Sequence, residues 1–276
     1  DLFCMIYSFL AKIKWVIDLK ILITGTLSGL GYHYAKKFSK RGHIVYAGVK
    51  NKKQLKLLEE KSKQDKIILF PRIINLDDDF EVFDDLDCII LQAGIGEGGS
   101  ILEIGINRFR NNYEVNVIDN LKIIKKYLQF CLEYNKKGKI FITSSLAAFL
   151  PFPYLASYTS SKMNLYTLSK TLRYELWYQK IPVSVSVILP GSYKTGFNEV
   201  MIDNKFQDKL ILTKKAFTMS NYQKLFFNLT EKTNYDSLSD KVVKFCEAKH
   251  SPFIITAPFS QALFVKVYWL FSIFRL

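Results

Sequence analysis

The sequence predicts an α/β fold built on one doubly wound parallel sheet of the Rossmann type, in a single domain. Short apolar segments alternate along the chain with segments of helical periodicity. The apolar segments are nearly continuous runs of Ile, Val and Leu, which indicate strands covered by helices on both faces. With 276 residues, 49% of them hydrophobic, the chain is long enough to bury one large core.

The predicted elements follow one another in the order that such a sheet requires. Seven segments have the composition of buried strands: residues 20–25, 43–49, 66–74, 88–94, 139–145, 183–191 and 253–257. The clearest helical patterns lie between them, at residues 55–63, 109–133 and 157–179. No internal repeat or low-complexity linker interrupts this alternation, so we expect one folded unit over residues 19–250.

A glycine-rich turn follows the first predicted strand. Thr24, Gly25, Gly29 and Gly31 come next in the chain, and a helical pattern begins among them. Glycines permit a tight turn there and let backbone N–H groups approach a pyrophosphate at the helix N-terminus, where the helix dipole favours negative charge. Glycines also mark ordinary turns. It is the order of strand, glycines and helix that favours a dinucleotide site.

A second pattern suggests a proton-transfer site. Tyr158 and Lys162 are four residues apart, and Ser145 stands thirteen residues before the tyrosine. On a helix, a spacing of four places two side chains on one face, about 5 to 6 Å apart at Cβ. A cation beside a phenol lowers the phenol pKa from its ordinary value of ~10, and we expect Lys162 to act on Tyr158 in this way.

The tyrosine–lysine pair is weak evidence by itself in a lysine-rich chain. Four Tyr-x-x-x-Lys pairs occur: Tyr32/Lys36, Tyr46/Lys50, Tyr158/Lys162 and Tyr166/Lys170. Of these tyrosines, Tyr158 alone has a serine thirteen residues before it. The alternative interpretation is a surface tyrosine, a solvated lysine and a serine in a turn.

Taken together, the motif Thr-Gly-x-x-x-Gly-x-Gly with Ser145, Tyr158 and Lys162 resembles the classical branch of the short-chain dehydrogenase/reductase family. The extended branch of that family has its middle glycine one position earlier, where this chain has Ser28. The resemblance covers about residues 19 to 250, and it is nearest to hydroxysteroid- and retinol-type members. It implies an oxidoreductase that transfers hydride between a nicotinamide dinucleotide and a carbonyl or alcohol group, with a tyrosine as general acid/base.

The resemblance also implies roles for individual residues. The implied catalytic residues are Asn116, Ser145, Tyr158 and Lys162. The implied cofactor contacts are Thr24, Gly25, Ser28, Gly29, Leu30, Gly31, Lys50, Asp77, Ala93, Gly94, Tyr158, Lys162, Pro190, Gly191, Tyr193 and Thr195. Two positions depart from the family pattern: Gln92 replaces an asparagine, and Tyr193 replaces a valine or isoleucine. These two departures motivate a rival hypothesis from another class, a dinucleotide-binding scaffold or sensor with little catalytic activity.

Charge at the end of the second strand bears on the choice of cofactor. NAD-dependent members of the family carry an acidic residue there, whereas this chain has Val49 followed by Lys50. A lysine can pair with a 2′-phosphate, so we expect NADP(H) to be preferred, with NAD(H) as the alternative. The competing interpretation is that Lys50, Lys52 and Lys53 are solvated loop charges.

Composition argues against several other classes of protein. The formal net charge is +14, but the lysines are spread along the chain and accompany no nucleic-acid module, so we expect no nucleic-acid partner. Four widely spaced cysteines and three isolated histidines signal neither a disulfide framework nor a metal site. We therefore expect a reducing, cytoplasmic location, with membrane association as a further option, and a homo-oligomer.

The two ends of the chain are unusually apolar. Residues 1–18 form an apolar N-terminal extension whose longest apolar stretch, of about eight residues, is too short to span a bilayer. We interpret it as either an amphipathic anchor or an added extension. Residues 251–276 carry large apolar side chains at helical spacing, which favours either peripheral membrane contact or burial in the core or an oligomer.

Residues of about 195–235 occupy the position of the lid that closes over substrate in this family. The large apolar residues there include Phe197, Val200, Met201, Ile202, Phe206, Leu210, Ile211, Leu212, Phe217 and Met219. Such a lid suits a small apolar carbonyl or alcohol substrate that is lipid-, steroid- or retinoid-like. Ordinary packing is the alternative explanation, because any lid must bury some apolar surface.

Overall fold

A computed structural model describes residues 18–74, 85–204 and 213–273. It confirms the predicted doubly wound parallel sheet, whose strands run in the order β3-β2-β1-β4-β5-β6-β7. The strands are β1 Lys20–Thr24, β2 Ile44–Val49, β3 Phe70–Ile73, β4 Cys88–Leu91, β5 Gly138–Thr143, β6 Val183–Pro190 and β7 Ile254–Ala257. Residues 1–17 of the N-terminal extension, Asp77 and the lid residues Phe206 and Leu210 to Leu212 lie outside the described residues.

Helices cover both faces of the sheet. They are α1 Gly29–Lys40, α2 Lys52–Gln64, α3 Ile106–Tyr113, α4 Asp119–Glu133, α5 Ala156–Tyr178, α6 Phe197–Asp203, α7 Thr213–Thr230, α8 Asp236–Glu247 and α9 Phe259–Ile273. On one face, α1 and α8 bury Phe38 and Val242 against β1 and β7. On the other face, α4 and α5 bury Tyr127 and Leu165 against β4 and β5. Both faces of the central strands are therefore apolar, as the sequence indicated.

The order of the strands fixes where a ligand can bind. Strand β1 pairs with β2 on one side and with β4 on the other, and both pairings are parallel. After β1 the chain adds β2 and β3 on one side of the sheet, and from β4 onward it adds strands on the other side. The loops that follow β1 and β4 therefore diverge and leave a crevice between them. In open α/β sheets, ligands bind in the crevice at the carboxyl ends of the strands, where the strand order reverses.

The structure corrects three of the predicted boundaries. In the predicted strand 66–74, residues Phe70–Ile73 form the strand, and their side chains alternate between exposed and half-buried because β3 is an edge strand. Helix α2 begins before residue 55, since the Asn51 side chain caps it by accepting a hydrogen bond from Gln54 N at 3.0 Å. The predicted helix 109–133 is interrupted by a π-helix at Glu114–Ile118.

Candidate active site

A large pocket opens at the carboxyl ends of the central strands, with a volume of about 1120 Å³. It is lined by most of the residues that the sequence singled out: Thr24, Gly25, Ser28, Gly29, Leu30, Gly31, Lys50, Ala93, Gly94, Ser145, Tyr158, Lys162, Pro190, Gly191, Tyr193 and Thr195. Asn116 is fully buried behind the pocket wall, and Asp77 lies outside the described residues. Five segments that are distant in sequence thus meet in one crevice.

The turn after β1 depends on glycine at two positions. Gly25 has a φ of +69°, in the left-handed region, and a Cβ there would lie 2.9 Å from Ala93 Cα. A Cβ at Gly31 would lie 2.3 Å from the Gly25 carbonyl oxygen. Neither position has room for a side chain. The turn is therefore tight enough to bring helix α1 directly against the end of the sheet.

The N-terminus of helix α1 lies at the pocket. Ser28 occupies the N-cap position, but its side chain makes no capping hydrogen bond, and the first turn contains no acidic residue. Gly29, Leu30 and Gly31 follow it and line the pocket. A helix start without a side-chain cap, with its first backbone N–H donors and a favourable dipole beside the pocket, fits a pyrophosphate group.

Thr24 ties the glycine turn to strand β4. Its Oγ1 accepts hydrogen bonds from the backbone N–H groups of Gln92 at 3.0 Å and Ala93 at 2.9 Å. The Gln92 Oε1 in turn accepts a hydrogen bond from Thr143 Oγ1 at 2.9 Å. The glutamine that departs from the family pattern is thus held in place, and it connects β4 to β5 beneath the pocket.

Lys162 brings a buried cation to the floor of the pocket. Its Nζ donates a hydrogen bond to the Thr143 carbonyl oxygen at 3.1 Å. A Cβ at Gly94 would lie 3.2 Å from this Nζ, so a larger residue there would crowd the lysine. Burial lowers the pKa of Lys162 from 10.5 to about 8, because the charged form loses its hydration. Lys162 can therefore hold or release a proton near neutral pH.

Tyr158 lies on the same face of α5, as the spacing of four predicts, but its pKa moves opposite to our expectation. We expected Lys162 to lower the pKa of the phenol. Burial raises it instead, and a hydrogen bond with Ser145 lowers it only in part. The Lys162 Nζ lies 5.9 Å from the centre of the tyrosine ring, and burial rather than the lysine sets the direction of the shift in the phenol pKa. The buried phenol is consequently protonated at neutral pH.

Ser145 is oriented by the backbone that follows β5. It precedes a short 3₁₀ helix at Leu146–Phe149, and its Oγ accepts a hydrogen bond from Ala147 N at 3.1 Å. The same hydroxyl bonds to Tyr158, so its hydrogen can point toward the pocket or the phenol. Serine and tyrosine together present two hydroxyl groups to one point in the pocket.

Asn116 lies in the π-helix that divides α3 from α4. Its Oδ1 accepts a hydrogen bond from Ile95 N at 2.8 Å, and its Nδ2 donates to Asn112 Oδ1 at 2.5 Å and Ser161 Oγ at 3.0 Å. A Cβ at Gly94 would lie 3.0 Å from Oδ1, so Asn116 and Lys162 flank the same glycine. The sequence showed no signal for Asn112 or Ser161, which support Asn116 from two different helices.

The loop after β6 forms the opposite wall. Pro190, Gly191, Tyr193 and Thr195 all line the pocket, and Thr195 packs against Gly29 of the glycine turn. Tyr193 is buried, and its hydroxyl lies 3.1 Å from Ser237 Oγ. Its ring therefore anchors the loop to helix α8, a role that an aliphatic residue of the family pattern could fill only by packing.

The pocket has a polar end and an apolar end. Lys50 is exposed at the end of β2, where its backbone N–H donates to Gln54 Oε1 at 2.9 Å. Among the described residues that line this end, namely Leu27, Ser28, Gly48, Val49, Lys50, Gln54 and Ile74, none carries a carboxylate. The other end is lined by large apolar side chains: Leu150, Phe152, Leu155, Phe197, Val200, Met201, Phe226, Phe227, Phe264 and Val265.

Helix α9 contributes to this wall, which the sequence did not reveal. Gln261, Phe264 and Val265 line the pocket, and Val265 is buried. Their spacing of three and four was visible in the sequence as part of an apolar helical pattern. Periodicity alone could not show that one face of this helix reaches the site, because so many positions of the helix are apolar.

Comparison with known proteins agrees with this geometry. The family model described as short chain dehydrogenase matches residues 19–205. The Bacillus subtilis protein named uncharacterized oxidoreductase YvaG is 23% identical over 88% of this chain and 90% of its own length. The Arabidopsis thaliana protein named 11-beta-hydroxysteroid dehydrogenase-like 3 is 24% identical over 77% of this chain and 75% of its own length.

Solved structures share the fold. A short chain dehydrogenase/reductase from Burkholderia phymatum, in complex with NAD, has a TM-score of 0.79 at 18% identity, covering 95% of this chain and 97% of that one. A short-chain dehydrogenase from Sphingobium yanoikuyae, in complex with NADPH, has a TM-score of 0.67 at 18% identity, covering 92% of this chain and 95% of that one.

Proposed function

Because the chain belongs to the short-chain dehydrogenase family, we propose that it is an NADP(H)-dependent oxidoreductase that interconverts a carbonyl and an alcohol on an apolar substrate. One observation supports the proposal most strongly. Tyr158, Lys162 and Ser145 line the same pocket as the uncapped N-terminus of α1. A proton donor, a buried cation and a site for a pyrophosphate therefore share one crevice.

Tyr158 and Ser145 have different roles in the reduction of a carbonyl group. A bound nicotinamide dinucleotide supplies the hydride that the carbonyl carbon accepts. Tyr158 donates its phenolic proton to the carbonyl oxygen, so that an alcohol is formed. Ser145 donates a hydrogen bond to the same oxygen and stabilises the negative charge that develops there. In the opposite direction, Tyr158 would first release its own proton through Lys162, so that the resulting phenolate accepts the proton of the alcohol while the bound cofactor would take up the hydride.

Burial assigns the protonation states that this scheme needs. The raised pKa of Tyr158 keeps the phenol protonated at neutral pH, which is the form that reduction consumes. Lys162, with a pKa of about 8, is close enough to neutrality to return a proton to the tyrosine through water. Asn116 flanks the same glycine as Lys162 and would hold that water. Lys162 would also bind the ribose next to the nicotinamide.

A preference for NADP(H) over NAD(H) is supported by charge. Lys50 lines the end of the pocket that the adenosine would occupy, and the described lining residues there offer no carboxylate to repel a phosphate. A lysine can form a charge-assisted contact with a 2′-phosphate. Structural relatives have been solved with either cofactor, so the charge of this chain is the argument on which the preference rests.

An apolar substrate is supported by the far end of the pocket. Aromatic and aliphatic side chains from the segment before α5 and from α6, α7 and α9 surround the space beyond Tyr158, and the Phe197 ring lies tilted at 5.6 Å from the tyrosine ring. A steroid-, retinoid- or lipid-like carbonyl compound would bury its surface there. The hydroxysteroid dehydrogenase-like relative in Arabidopsis is consistent with this class.

We also propose peripheral contact with a membrane, through the outer face of α9, for an otherwise cytoplasmic protein. Phe259, Trp269 and Phe271 are 76%, 49% and 67% exposed, and Lys266 is exposed between them. Exposed aromatic residues together with basic ones suit an interface with anionic lipids. Within the described residues, no helix combines the length and the apolarity that crossing a bilayer requires.

A substrate screen tests the proposed activity. Purified protein should oxidise NADPH in the presence of apolar ketones or aldehydes, such as steroid ketones, and should do so poorly with small polar sugars or hydroxy acids. Titration of NADPH by fluorescence in the same samples separates binding from turnover. Tight NADPH binding without turnover of any carbonyl would favour the scaffold hypothesis, and absence of NADPH binding would contradict both.

A further inference from the structure

Gln261 connects three elements around the cofactor end of the pocket, and the proposed chemistry does not use it. It lies in the first turn of α9. Its Oε1 accepts a hydrogen bond from Ser192 N at 2.7 Å, in the loop that follows β6. Its Nε2 donates a hydrogen bond to the carbonyl oxygen of Thr230 at 2.8 Å, at the end of α7. One side chain therefore holds both the loop after β6 and the last turn of α7.

The loop between Pro190 and Thr195 is held by hydrogen bonds to several other segments, and Gln261 makes one of them. Gly191 N donates to the Ala257 carbonyl oxygen at 2.9 Å, which ties the start of the loop to the end of β7. Lys232 N donates to the Ser192 carbonyl oxygen at 3.0 Å, and Lys194 N donates to the Lys232 carbonyl oxygen at 3.0 Å. Gln261 thus binds Ser192, a residue to which Lys232, in the segment after α7, also donates a hydrogen bond.

Close packing leaves Gln261 little freedom. A Cβ at Gly191 would lie 2.1 Å from the Gln261 Oε1 and 2.8 Å from Pro258 Cδ. The amide of the glutamine is therefore pressed against the backbone of the loop. The two backbone partners require one acceptor and one donor at the end of a side chain of this length. Glutamine is the uncharged residue of that length that carries both.

We propose that Gln261 is a positioning residue for hydride transfer. It sets the loop that carries Pro190, Tyr193 and Thr195 against the bound cofactor, and it fixes the end of α7, from which Phe226 and Phe227 line the substrate end of the pocket. This proposal rests on the proposed function, since it concerns the same site. It also makes α9 part of the active site, because the helix contacts the loop from its inner face and solvent from its outer face.

The test compares Gln261→Met and Gln261→Glu with a matched control, Gln223→Met. Gln223 lies on α7, is buried and donates a hydrogen bond to the Pro153 carbonyl oxygen at 2.9 Å, but it does not line the pocket. Both methionine variants lose side-chain hydrogen bonds at nearly constant volume. Each variant is measured for melting temperature, NADPH dissociation constant and the single-turnover rate of NADPH oxidation with a steroid ketone.

We expect Gln261→Met to weaken NADPH binding or slow single turnover by about tenfold, because two hydrogen bonds to the loop and lid are lost. Gln261→Glu keeps the acceptor for Ser192 N, so its NADPH affinity should lie between those of the methionine variant and the wild type. The control should lose melting temperature while keeping wild-type affinity and rate.

Two outcomes would overturn the proposal in distinguishable ways. If the wild type binds NADPH and Gln261→Met matches Gln223→Met in affinity and single-turnover rate, Gln261 is structural and the inference is wrong. If the wild type does not bind NADPH, the proposed function fails and the inference falls with it. Should Gln261→Met fail to fold, the glutamate variant decides, since wild-type affinity and rate in a folded Gln261→Glu would also contradict a role that needs both hydrogen bonds.

Discussion

Helices α5 and α9 both line the pocket, but they place their side chains differently: α5 buries polar groups, whereas α9 exposes apolar ones. Helix α5 buries five polar or ionisable residues: Ser157, Tyr158, Ser161, Lys162 and Ser169. Helix α9 leaves most of its large apolar residues exposed and buries Val265. Each pattern has a cost in free energy, since buried polar groups lose hydration and exposed apolar groups order water. These two costs are what we expect of the proposed chemistry at α5 and the proposed contact surface at α9.

The cost at α5 can be measured by removing the buried cation. Lys162→Met should lower turnover at least a hundredfold, because the ribose contact and the proton return are lost. The same change should stabilise the fold at neutral pH. The lowered pKa of Lys162, about 8 against 10.5, means that protonated lysine destabilises the folded state by at most about 3 kcal/mol.

The pH dependence of this effect has a definite sign. Below about pH 8, lysine is protonated in the folded and unfolded states, and the full destabilisation is present. Between pH 8 and 10.5 the unfolded chain binds more protons, so the wild type gains stability relative to Lys162→Met as the pH rises. Denaturant unfolding of both proteins at several pH values measures the difference. A difference in unfolding free energy that stays constant over this range would show that burial does not lower the pKa of Lys162.

The proposed role of α9 can be tested by removing apolar groups from its outer face. Replacing Trp269 and Phe271 by serine should weaken binding to anionic vesicles at least tenfold, since each buried aromatic contributes about 1.5 to 3 kcal/mol. Turnover of a water-soluble ketone should be unchanged, because neither residue lines the large pocket. Vesicle sedimentation at low and high salt measures binding. If the intact protein ignores vesicles and the variant becomes monomeric, the face is an oligomer interface instead.

The smallest expected effect lies at the polar end of the pocket. Lys50→Ala should weaken NADPH binding about ten- to a hundredfold and leave NADH binding almost unchanged, because a charged hydrogen bond contributes roughly 1.5 to 3 kcal/mol. Lys53→Ala is the matched control, since Lys53 is a nearby exposed lysine that does not line the pocket. Titration of both cofactors with the three proteins gives the result. Equal affinity of the wild type for NADPH and NADH would refute the preference.

The sequence predicted the parts of the site that depend on local geometry. The glycine turn requires Gly25 and Gly31 for steric reasons, and the helical spacing of four brings Tyr158 and Lys162 together. These are short-range constraints, which a pattern of residues states directly. The sheet followed for the same reason, because each buried strand is an apolar run with a turn after it.

What the sequence could not predict depends on contacts between distant segments. The pKa of Tyr158 is raised because the fold buries the phenol, and spacing alone suggested the opposite direction. Asn112 and Gln261 act through hydrogen bonds to residues 45 and 69 positions away, and no local pattern marks such partners. Edge strand β3 and the exposed face of α9 also depend on which neighbours the fold provides.

The most direct test of the central claim compares two tyrosines that the sequence alone cannot rank by pair spacing. Tyr158→Phe and Tyr166→Phe each remove one hydroxyl from α5, and each tyrosine has a lysine four residues later. NADPH-dependent reduction of a steroid ketone is measured for both, with NADPH affinity by titration. We predict that Tyr158→Phe lowers turnover by ~10²- to 10⁴-fold with cofactor affinity retained, and that Tyr166→Phe resembles the wild type. Undiminished turnover in Tyr158→Phe would contradict the account.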